Sequence, residues 1–238
     1  MPKINSSGAG ELPGGTELAR QSRRKFIQFT GAAGLLTTGL AGCQKILDHF
    51  PKPGSGNSKA VDLGSGDIGI LNYAYALEQL EAAFYIKIQE SPYSGISDSE
   101  LSLLKDIRNH EIAHREFFKT ALGSKAIQQL DFDFSSIKFN ERGSVLGTAK
   151  AFEDLGVSAY NGAGSLIADT NYLLLAGKIV SVEARHAAYI RDLLSYGSFA
   201  DGTVINNDGL DTSRKPKDVL AIAGKYIKNK IDASKLPS

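Results

Sequence analysis

Residues 71–85 read LNYAYALEQLEAAFY, and their apolar side chains recur at the spacing of one face of an α-helix. The middle of that face carries Glu78, so a helix that buries its apolar stripe also buries a carboxylate. Three later stretches repeat this feature, namely HEIAHREFF at 110–118, FEDLGVSAYNGAG at 152–164 and VEARHAAYIRDLL at 182–194. Their stripes contain Glu111, Glu153 and Glu183. Four helices that each bury one glutamate predict a helical bundle around a polar centre.

Helical periodicity extends outward from these stretches and predicts four long helices, at about 67–90, 98–122, 144–168 and 171–195. The first two helices and the last two are each joined by a short loop, which makes each pair an antiparallel hairpin. About twenty residues join the second helix to the third, and LDFDFSSIKF at 130–139 has the alternation of an extended strand. Extended chain covers about 3.3 Å per residue, so this link can run back along a helix about 37 Å long. The sequence therefore predicts an all-α four-helix bundle with one long crossover, in which the second and third helices run parallel.

The segments that flank the bundle at 66–195 differ from it in composition. Residues 44–65 are rich in Pro, Gly, Ser and Lys, and we interpret them as a flexible linker. Residues 196–238 begin as a loop rich in Gly, Asp and Asn, and KPKDVLAIAGKYIKNKI at 215–231 predicts one short amphipathic C-terminal helix. This last stretch is also mildly basic.

The composition and net charge of the chain limit the classes of function that it can have. The chain has 238 residues, with 27 Lys+Arg against 26 Asp+Glu and a formal net charge of +1. No long basic run lies beside aromatic residues, so the sequence gives no indication of nucleic-acid binding. The one cysteine, Cys43, excludes an internal disulfide and a cysteine-based metal site. Any metal chemistry must therefore use oxygen and nitrogen ligands.

The first 43 residues have the order of an export signal, in which a basic region precedes a short apolar region and small residues. SRRKFI at 22–27 resembles the twin-arginine signal, and LAGC at 40–43 resembles the lipobox of bacterial lipoproteins. These resemblances imply export by the twin-arginine machinery and lipidation of Cys43, which would tether the protein to a membrane in the periplasm or cell envelope. The alternative is a signal anchor, although an apolar stretch of 17 residues is marginal for spanning a bilayer.

The four buried carboxylates need a counter-charge, because burying ionised carboxylates without partners is strongly unfavourable. Two of the glutamates are followed three residues later by a histidine, and this spacing places both side chains on one helical face. One Glu from each of two helices plus Glu-x-x-His from each of two others is the ligand pattern of a dinuclear metal site. The mixed oxygen and imidazole set suits iron or manganese better than structural zinc. The sequence thus predicts two iron or manganese ions bound by Glu78, Glu111, His114, Glu153, Glu183 and His186.

At the four quoted stretches, the sequence resembles the bacterial ferritin-like domain family, specifically the branch that includes desiccation-related proteins. The resemblance covers roughly residues 66–195 and implies a ferritin-like four-helix bundle with one long crossover. It also assigns a role to each of the six candidate ligands. Terminal ligands would be Glu78 and Glu153, bridging ligands Glu111 and Glu183, and nitrogen ligands His114 and His186.

Two assignments near these ligands stay open in the sequence. Glu81 lies three residues after Glu78 and is also near the predicted core face. We prefer Glu78 as the ligand, because Tyr85 follows it by seven residues, as Tyr160 follows Glu153. Tyr85 and Tyr160 are candidate catalytic residues, and the alternative is that they are packing residues with a satisfied hydroxyl.

A zinc hydrolase is a competing hypothesis, because residues 110–114 read HEIAH and match the HExxH pattern. In that interpretation His110 and His114 bind zinc and Glu111 is the general base. The other four predicted ligands are then left without a role. Val182 also stands where a second HExxH would need a histidine.

The predicted metal pair favours an enzyme that acts on a small oxidant or on a metal ion as substrate. Ferroxidase, peroxidase and catalase-like chemistry all occur on this scaffold, and the fold alone does not choose among them. Iron storage needs a closed shell of subunits, which a lipid-tethered chain does not favour. The main alternative is a non-catalytic structural or binding lipoprotein of the cell envelope that uses the same bundle.

Overall fold

The computed structural model describes residues 59–238, which form four long helices and one short one. The helices are α1 (Gly66–Glu90), α2 (Asp98–Leu122), α3 (Arg142–Gly164), α4 (Thr170–Leu194) and α5 (Pro216–Ala223). The two-residue strands β1 (Val61–Asp62) and β2 (Ile231–Asp232) pair in parallel. Across residues 59–238, no helix has the length and apolar character needed to cross a bilayer. The predicted signal at 1–43 and the predicted linker up to residue 58 lie outside the described residues.

The N-terminus of helix α2 is capped by Ser97. The Ser97 hydroxyl accepts a hydrogen bond from the backbone N–H of Glu100 at 3.2 Å, as an N-cap serine should. The Glu100 carboxylate turns away from Ser97 and accepts two hydrogen bonds from Arg142, at 2.9 and 3.0 Å. Because Arg142 is the first residue of α3, this contact fixes the beginning of α3 beside the beginning of α2.

The crossover at 123–141 runs back along α1. Near the start of α1, the Asn72 amide donates to the backbone carbonyl of Lys125 at 3.0 Å. Near its end, the ring of Phe84 lies 5.9 Å from the ring of Phe139. The crossover therefore returns the chain to the end of the bundle where α2 began, and α2 and α3 run parallel. The all-α bundle with one long crossover and a short C-terminal helix is confirmed.

Two local predictions differ from the structure. The stretch at 130–139 forms one isolated bridge, Phe132 with Ile227, and no regular strand, because no other described strand runs beside it. The helix predicted over 215–231 ends at Ala223, followed by Gly224. The chain beyond Gly224 pairs with the crossover and then with β1, so tertiary contacts replace the last turns of the predicted helix.

The folded part begins a few residues before the boundary predicted at 66. The backbone N–H of Val61 donates to the carbonyl of Lys230 at 2.8 Å, and that of Leu63 donates to Asp232 at 3.0 Å. Leu63 is completely buried. Residues 61–63 of the predicted linker are therefore part of the fold, because they complete the small parallel sheet.

Helix α1 is the most enclosed element of the bundle. Every residue from Gly69 to Ala82 is buried, because α1 contacts α2, α3 and the crossover. Helix α3 lies antiparallel to α1, since Tyr85 reaches Glu153 while Tyr160 reaches Glu78. Side chains between these two helices are therefore removed from water, and a polar cluster there depends on its own internal partners.

Candidate metal centre

The structure brings the six predicted ligands together at the middle of the bundle. Each of the four long helices supplies one glutamate, and the side chains of all four have no exposed surface: Glu78, Glu111, Glu153 and Glu183. His186 is also buried, whereas 12% of the His114 side chain is exposed. The centre is therefore enclosed, and solvent approaches it on the side of His114.

The possible ligand atoms form two groups that share two residues. One group contains Glu78, Glu111, His114 and Glu183, and the other contains Glu111, Glu153, Glu183 and His186. Within each group the atoms lie no more than 4.8 Å from one another. Glu111 and Glu183 thus lie between two neighbouring positions, as bridging carboxylates must. At one end of the cluster lie Glu78 and His114, and at the other end lie Glu153 and His186.

The Nδ1 atoms of both histidines point into this cluster. Nδ1 of His114 lies 2.7 Å from Oε1 of Glu183 and 3.5 Å from Oε2 of Glu78. Nδ1 of His186 lies 2.9 Å from Oε1 of Glu111 and 3.4 Å from Oε2 of Glu183. Each imidazole therefore approaches one end of the cluster and also a shared carboxylate.

These short contacts do not satisfy the cluster as hydrogen bonds. Among the described residues, eight buried atoms of the six side chains have no hydrogen-bond partner, including both oxygens of Glu111 and of Glu183 and both Nδ1 atoms. Buried polar groups are rarely left unpaired, because each one loses its hydration without compensation. Atoms that converge without hydrogen-bond geometry are arranged as ligands around a cation. The donor set therefore fits a pair of metal ions.

The charges of the cluster lead to the same conclusion. Burial and the neighbouring Glu183 raise the pKa of Glu78 and of Glu111, and burial also raises that of Glu153. Burial alone would raise the pKa of Glu183 too, but its contacts with His114 and His186 bring it down to about 2. Burial opposes charge on His114, yet Glu183 and Glu78 raise its pKa to about 10. The buried carboxylates are thus stable in their ionised form only beside positive charge, which either protonated imidazoles or divalent cations can supply.

The two tyrosines pair with the ligands crosswise between α1 and α3. The Tyr85 hydroxyl donates to Oε1 of Glu153 at 2.5 Å, and the Tyr160 hydroxyl donates to Oε1 of Glu78. Burial and the nearby carboxylates raise the pKa of both phenols well above the usual value, so both remain donors. Each hydroxyl holds one oxygen of a terminal carboxylate and leaves the other directed at the cluster. The sequence showed the seven-residue spacing but not this exchange between helices.

His110 lies outside both ligand groups. Its Nδ1 is 2.9 Å from Nε2 of His186, and the two rings stack with centroids 5.2 Å apart. Burial and then the charge of His186 lower the pKa of His110, which favours its neutral form. Within residues 59–238, no possible ligand group contains both His110 and His114, so the arrangement does not support the HExxH zinc hypothesis. The contact with His186 instead fixes the outer nitrogen of a candidate ligand.

Glu81 is a fifth buried carboxyl group beside the cluster, and it belongs to neither ligand group. Burial and repulsion from Glu111 raise its pKa well above the usual value, which favours its neutral form. A Cβ at position 156 would lie 3.0 Å from Oε1 of Glu81, so Gly156 of α3 provides its space. Between the two alternatives left open by the sequence, the structure places Glu78 among the possible ligands.

Four long helices that enclose four glutamates and two histidines are typical of ferritin-like bundles. The model of the ferritin-like domain family matches residues 66–196, which is more than half of the chain. The chain therefore belongs to the ferritin-like domain family. No curated protein shows a significant match to it.

Proposed function

We propose that this protein binds two iron or manganese ions at the centre of its bundle and uses them to handle an oxidant or to oxidise a metal ion. The observation that carries the proposal is the set of eight unpartnered ligand atoms in two groups that share Glu111 and Glu183. The terminal ligands would be Glu78 and Glu153, and the nitrogen ligands would be Nδ1 of His114 and of His186.

Charge balance supports two divalent ions. Four ionised glutamates carry four negative charges, and two divalent cations with neutral imidazoles cancel them inside the buried site. Carboxylate and imidazole donors favour iron or manganese, since a structural zinc site prefers four ligands in a closed tetrahedron. Glu81 lies outside both ligand groups, and burial raises its pKa, which favours the neutral form that adds no charge to this balance.

Bound iron or manganese would supply the electrons for a reaction with dioxygen or peroxide. The residues of the chain position the ligands and keep bulk water out. Tyr85 and Tyr160 hold the terminal carboxylates, and His110 holds the ring of His186. The partly exposed His114 marks the side from which a small oxidant or a metal-ion substrate reaches the centre. A catalytic role of the tyrosines in ferroxidase, peroxidase or catalase-like chemistry is part of this proposal.

We place this activity in the cell envelope, on the sequence at 1–43. A twin-arginine route carries folded proteins, which suits a site whose ligands are assembled only in the folded bundle. Lipidation of Cys43 would then hold the mature protein at a membrane. Stable attachment requires more than one acyl chain, because a single chain binds only marginally. We include membership of the desiccation-related branch in the proposal, on the four stretches quoted above.

The metal content of the purified full-length chain tests the proposed centre. We expect two iron or manganese ions per chain by elemental analysis, and loss of both in Glu111→Ala and Glu183→Ala, because these residues are shared by the two positions. Glu116→Ala is the matched control, since Glu116 lies on α2 and is exposed. His110→Ala should still bind two ions when metal is in excess. Loss of binding in His110→Ala with full binding in His186→Ala would support the zinc hypothesis instead.

Consumption of dioxygen and peroxide by the loaded protein tests the reaction. We expect turnover with at least one of these oxidants, or oxidation of added Fe²⁺, and none in Glu183→Ala. A chain that holds two ions and consumes neither oxidant, with or without Fe²⁺, would be a binding or structural module. The export route has its own test, because Arg23→Lys with Arg24→Lys should retain the full-length protein in the cytoplasm. Normal export of that variant would refute the twin-arginine route.

A further inference from the structure

A groove lies between α5, the end of α3 and the C-terminal segment. Its volume is about 1360 Å³, and its lining includes apolar side chains at the base, among them Leu166, Leu220 and Ile227. None of the six candidate ligands lines this groove. The groove is therefore separate from the cluster at the bundle centre.

The rim of the groove is positively charged. Four exposed lysines line it, namely Lys215, Lys217, Lys228 and Lys230, and no aspartate or glutamate is among the lining residues. Among residues 59–238, none of these four lysines has a carboxylate within ion-pair distance. The stretch 214–238 contains seven Lys and Arg against two Asp, although the whole chain has a net charge of only +1. The C-terminal segment at this corner of the molecule thus carries more basic than acidic side chains.

The chain enters its fold beside the same groove. The backbone N–H of Val61 donates to the carbonyl of Lys230, a lining residue, at 2.8 Å. Lys59, the first described residue, is exposed and adds to the charge at this corner. Residues 44–58 join this point to Cys43, and a chain of that length reaches at most about 50 Å. A lipid at Cys43 would therefore keep the basic groove within that distance of a membrane.

We propose that this groove, the lysine groove, docks on the anionic phospholipids of the membrane to which the protein is tethered. The four lysines would contact the headgroup phosphates of these lipids. The inference rests on the proposed lipidation of Cys43 for its cellular setting, but the contact needs neither the lipid on Cys43 nor the metal. It gives the tethered protein one preferred face toward the membrane.

Vesicle sedimentation with the full-length chain tests the docking directly. The chain carries Cys43→Ser, so that no acyl anchor is present, and the vesicles contain phosphatidylcholine alone or with one third phosphatidylglycerol. We expect stronger binding to the anionic vesicles and a loss of that difference at high salt, because salt screens exposed charges. Each lysine near an anionic surface changes the binding constant about fivefold, so replacing all four should weaken it several hundredfold.

Two variants of equal charge make the test specific. The first replaces the four lysines of the groove by glutamine, and the second replaces four exposed lysines elsewhere, Lys105, Lys119, Lys125 and Lys178. Any contribution of residues 1–42 is the same in both. We expect the first variant to lose anionic binding and the second to keep most of it, with both keeping their metal content and thermal unfolding temperature.

Equal binding of both variants, or equal binding to neutral and anionic vesicles, would overturn the proposal. Such a result would be expected if the groove takes an acidic protein or a nucleic acid. Failure of the metal proposal would appear separately, as missing metal in a protein that still binds vesicles. Failure of lipidation would appear as an unmodified Cys43 in the mass of the exported chain, with the vesicle result unchanged.

Discussion

Two tyrosines of α1 provide a sharp test of how the cluster is held together. Tyr85 and Tyr73 lie on the same helix, and both are at most 1% exposed. The Tyr85 hydroxyl donates to Oε1 of Glu153 at 2.5 Å, whereas the Tyr73 hydroxyl has no hydrogen-bond partner among the described residues. Tyr85→Phe and Tyr73→Phe therefore remove the same atom from two different environments.

Of the two substitutions, we expect only Tyr85→Phe to lower the free energy of unfolding. A hydrogen bond to a charged group contributes about 1.5–3 kcal/mol, and Tyr85→Phe also leaves Oε1 of Glu153 unpaired, so we expect a loss of about 2 kcal/mol. Tyr73→Phe removes a buried hydroxyl whose lost hydration costs about 1–3 kcal/mol without return. We expect this variant to be as stable as the natural chain or more so.

Urea unfolding of the metal-free protein, followed by circular dichroism, measures both free energies. The slope of the free energy of unfolding against urea concentration should be the same in both variants as in the natural chain, because neither substitution changes the surface exposed on unfolding. If Tyr73→Phe destabilises the protein as much as Tyr85→Phe does, the contact with Glu153 is not the source of the effect. The same variants test catalysis, since Tyr85→Phe should still bind two ions, and a loss of turnover with full metal content would assign a catalytic role to its hydroxyl.

Three further predictions concern pH, Glu81 and the packing outside the centre. The pKa of His114 is raised to about 10, so His114 stabilises the metal-free protein fully below about pH 6.5 and less as the pH rises toward 10. The pKa of Glu183 is lowered to about 2, so Glu183 stabilises the protein above about pH 4.5 and less as the pH falls toward 2. The free energy of unfolding of chelator-treated protein, measured by urea titration, should therefore fall above pH 6.5. That of metal-loaded protein should not fall, because its ligands bind metal when they are deprotonated. Parallel pH profiles of the two forms would contradict this prediction. Glu81→Gln should leave two ions per chain by elemental analysis and change the free energy of unfolding by less than about 1.5 kcal/mol, because glutamine has the shape of a neutral glutamic acid. Loss of an ion in this variant would make Glu81 a ligand. Arg191→Ala should cost about 3–5 kcal/mol in urea unfolding, because it leaves Asp154 at 2.6 Å without its buried partner, and an unchanged unfolding midpoint would contradict this.

The sequence predicted the helices well because their burial pattern is local. The predicted bounds of the first two helices, about 67–90 and 98–122, agree with α1 and α2 to within one residue. The apolar residues that each helix buries recur every three or four positions in the sequence. The glutamates occupy positions in that same repeat, so they can be identified by their spacing. The six residues that the structure brings together could therefore be selected without any knowledge of distance. Their identity as metal ligands remains a prediction.

Other features depend on contacts between distant parts of the chain. Glu81 lies off the strict apolar stripe and is buried because α1 is enclosed on nearly every side. The stacking of His110 on His186 joins residues 76 positions apart, which no spacing within one helix reveals. The pairing of Val61 with Ile231 joins the two ends of the described chain. Short-range patterns cannot predict such contacts, because they arise only when the helices pack.

The two halves of the bundle are related by an approximate repeat, and the exceptions to this repeat make the two ends of the candidate metal centre different. Glu78 with Tyr160 and Glu153 with Tyr85 are equivalent pairs, and each histidine approaches one end through Nδ1. The repeat fails at Glu81, whose counterpart is Gly156, because two carboxyl groups would not fit where a single Cβ already meets Oε1 at 3.0 Å. It fails again at His110, whose counterpart is Val182, so among residues 59–238 a second imidazole lies behind the end that contains His186 and none behind the other end. The opposite end contains His114, whose side chain is 12% exposed, so that end is the more open to solvent.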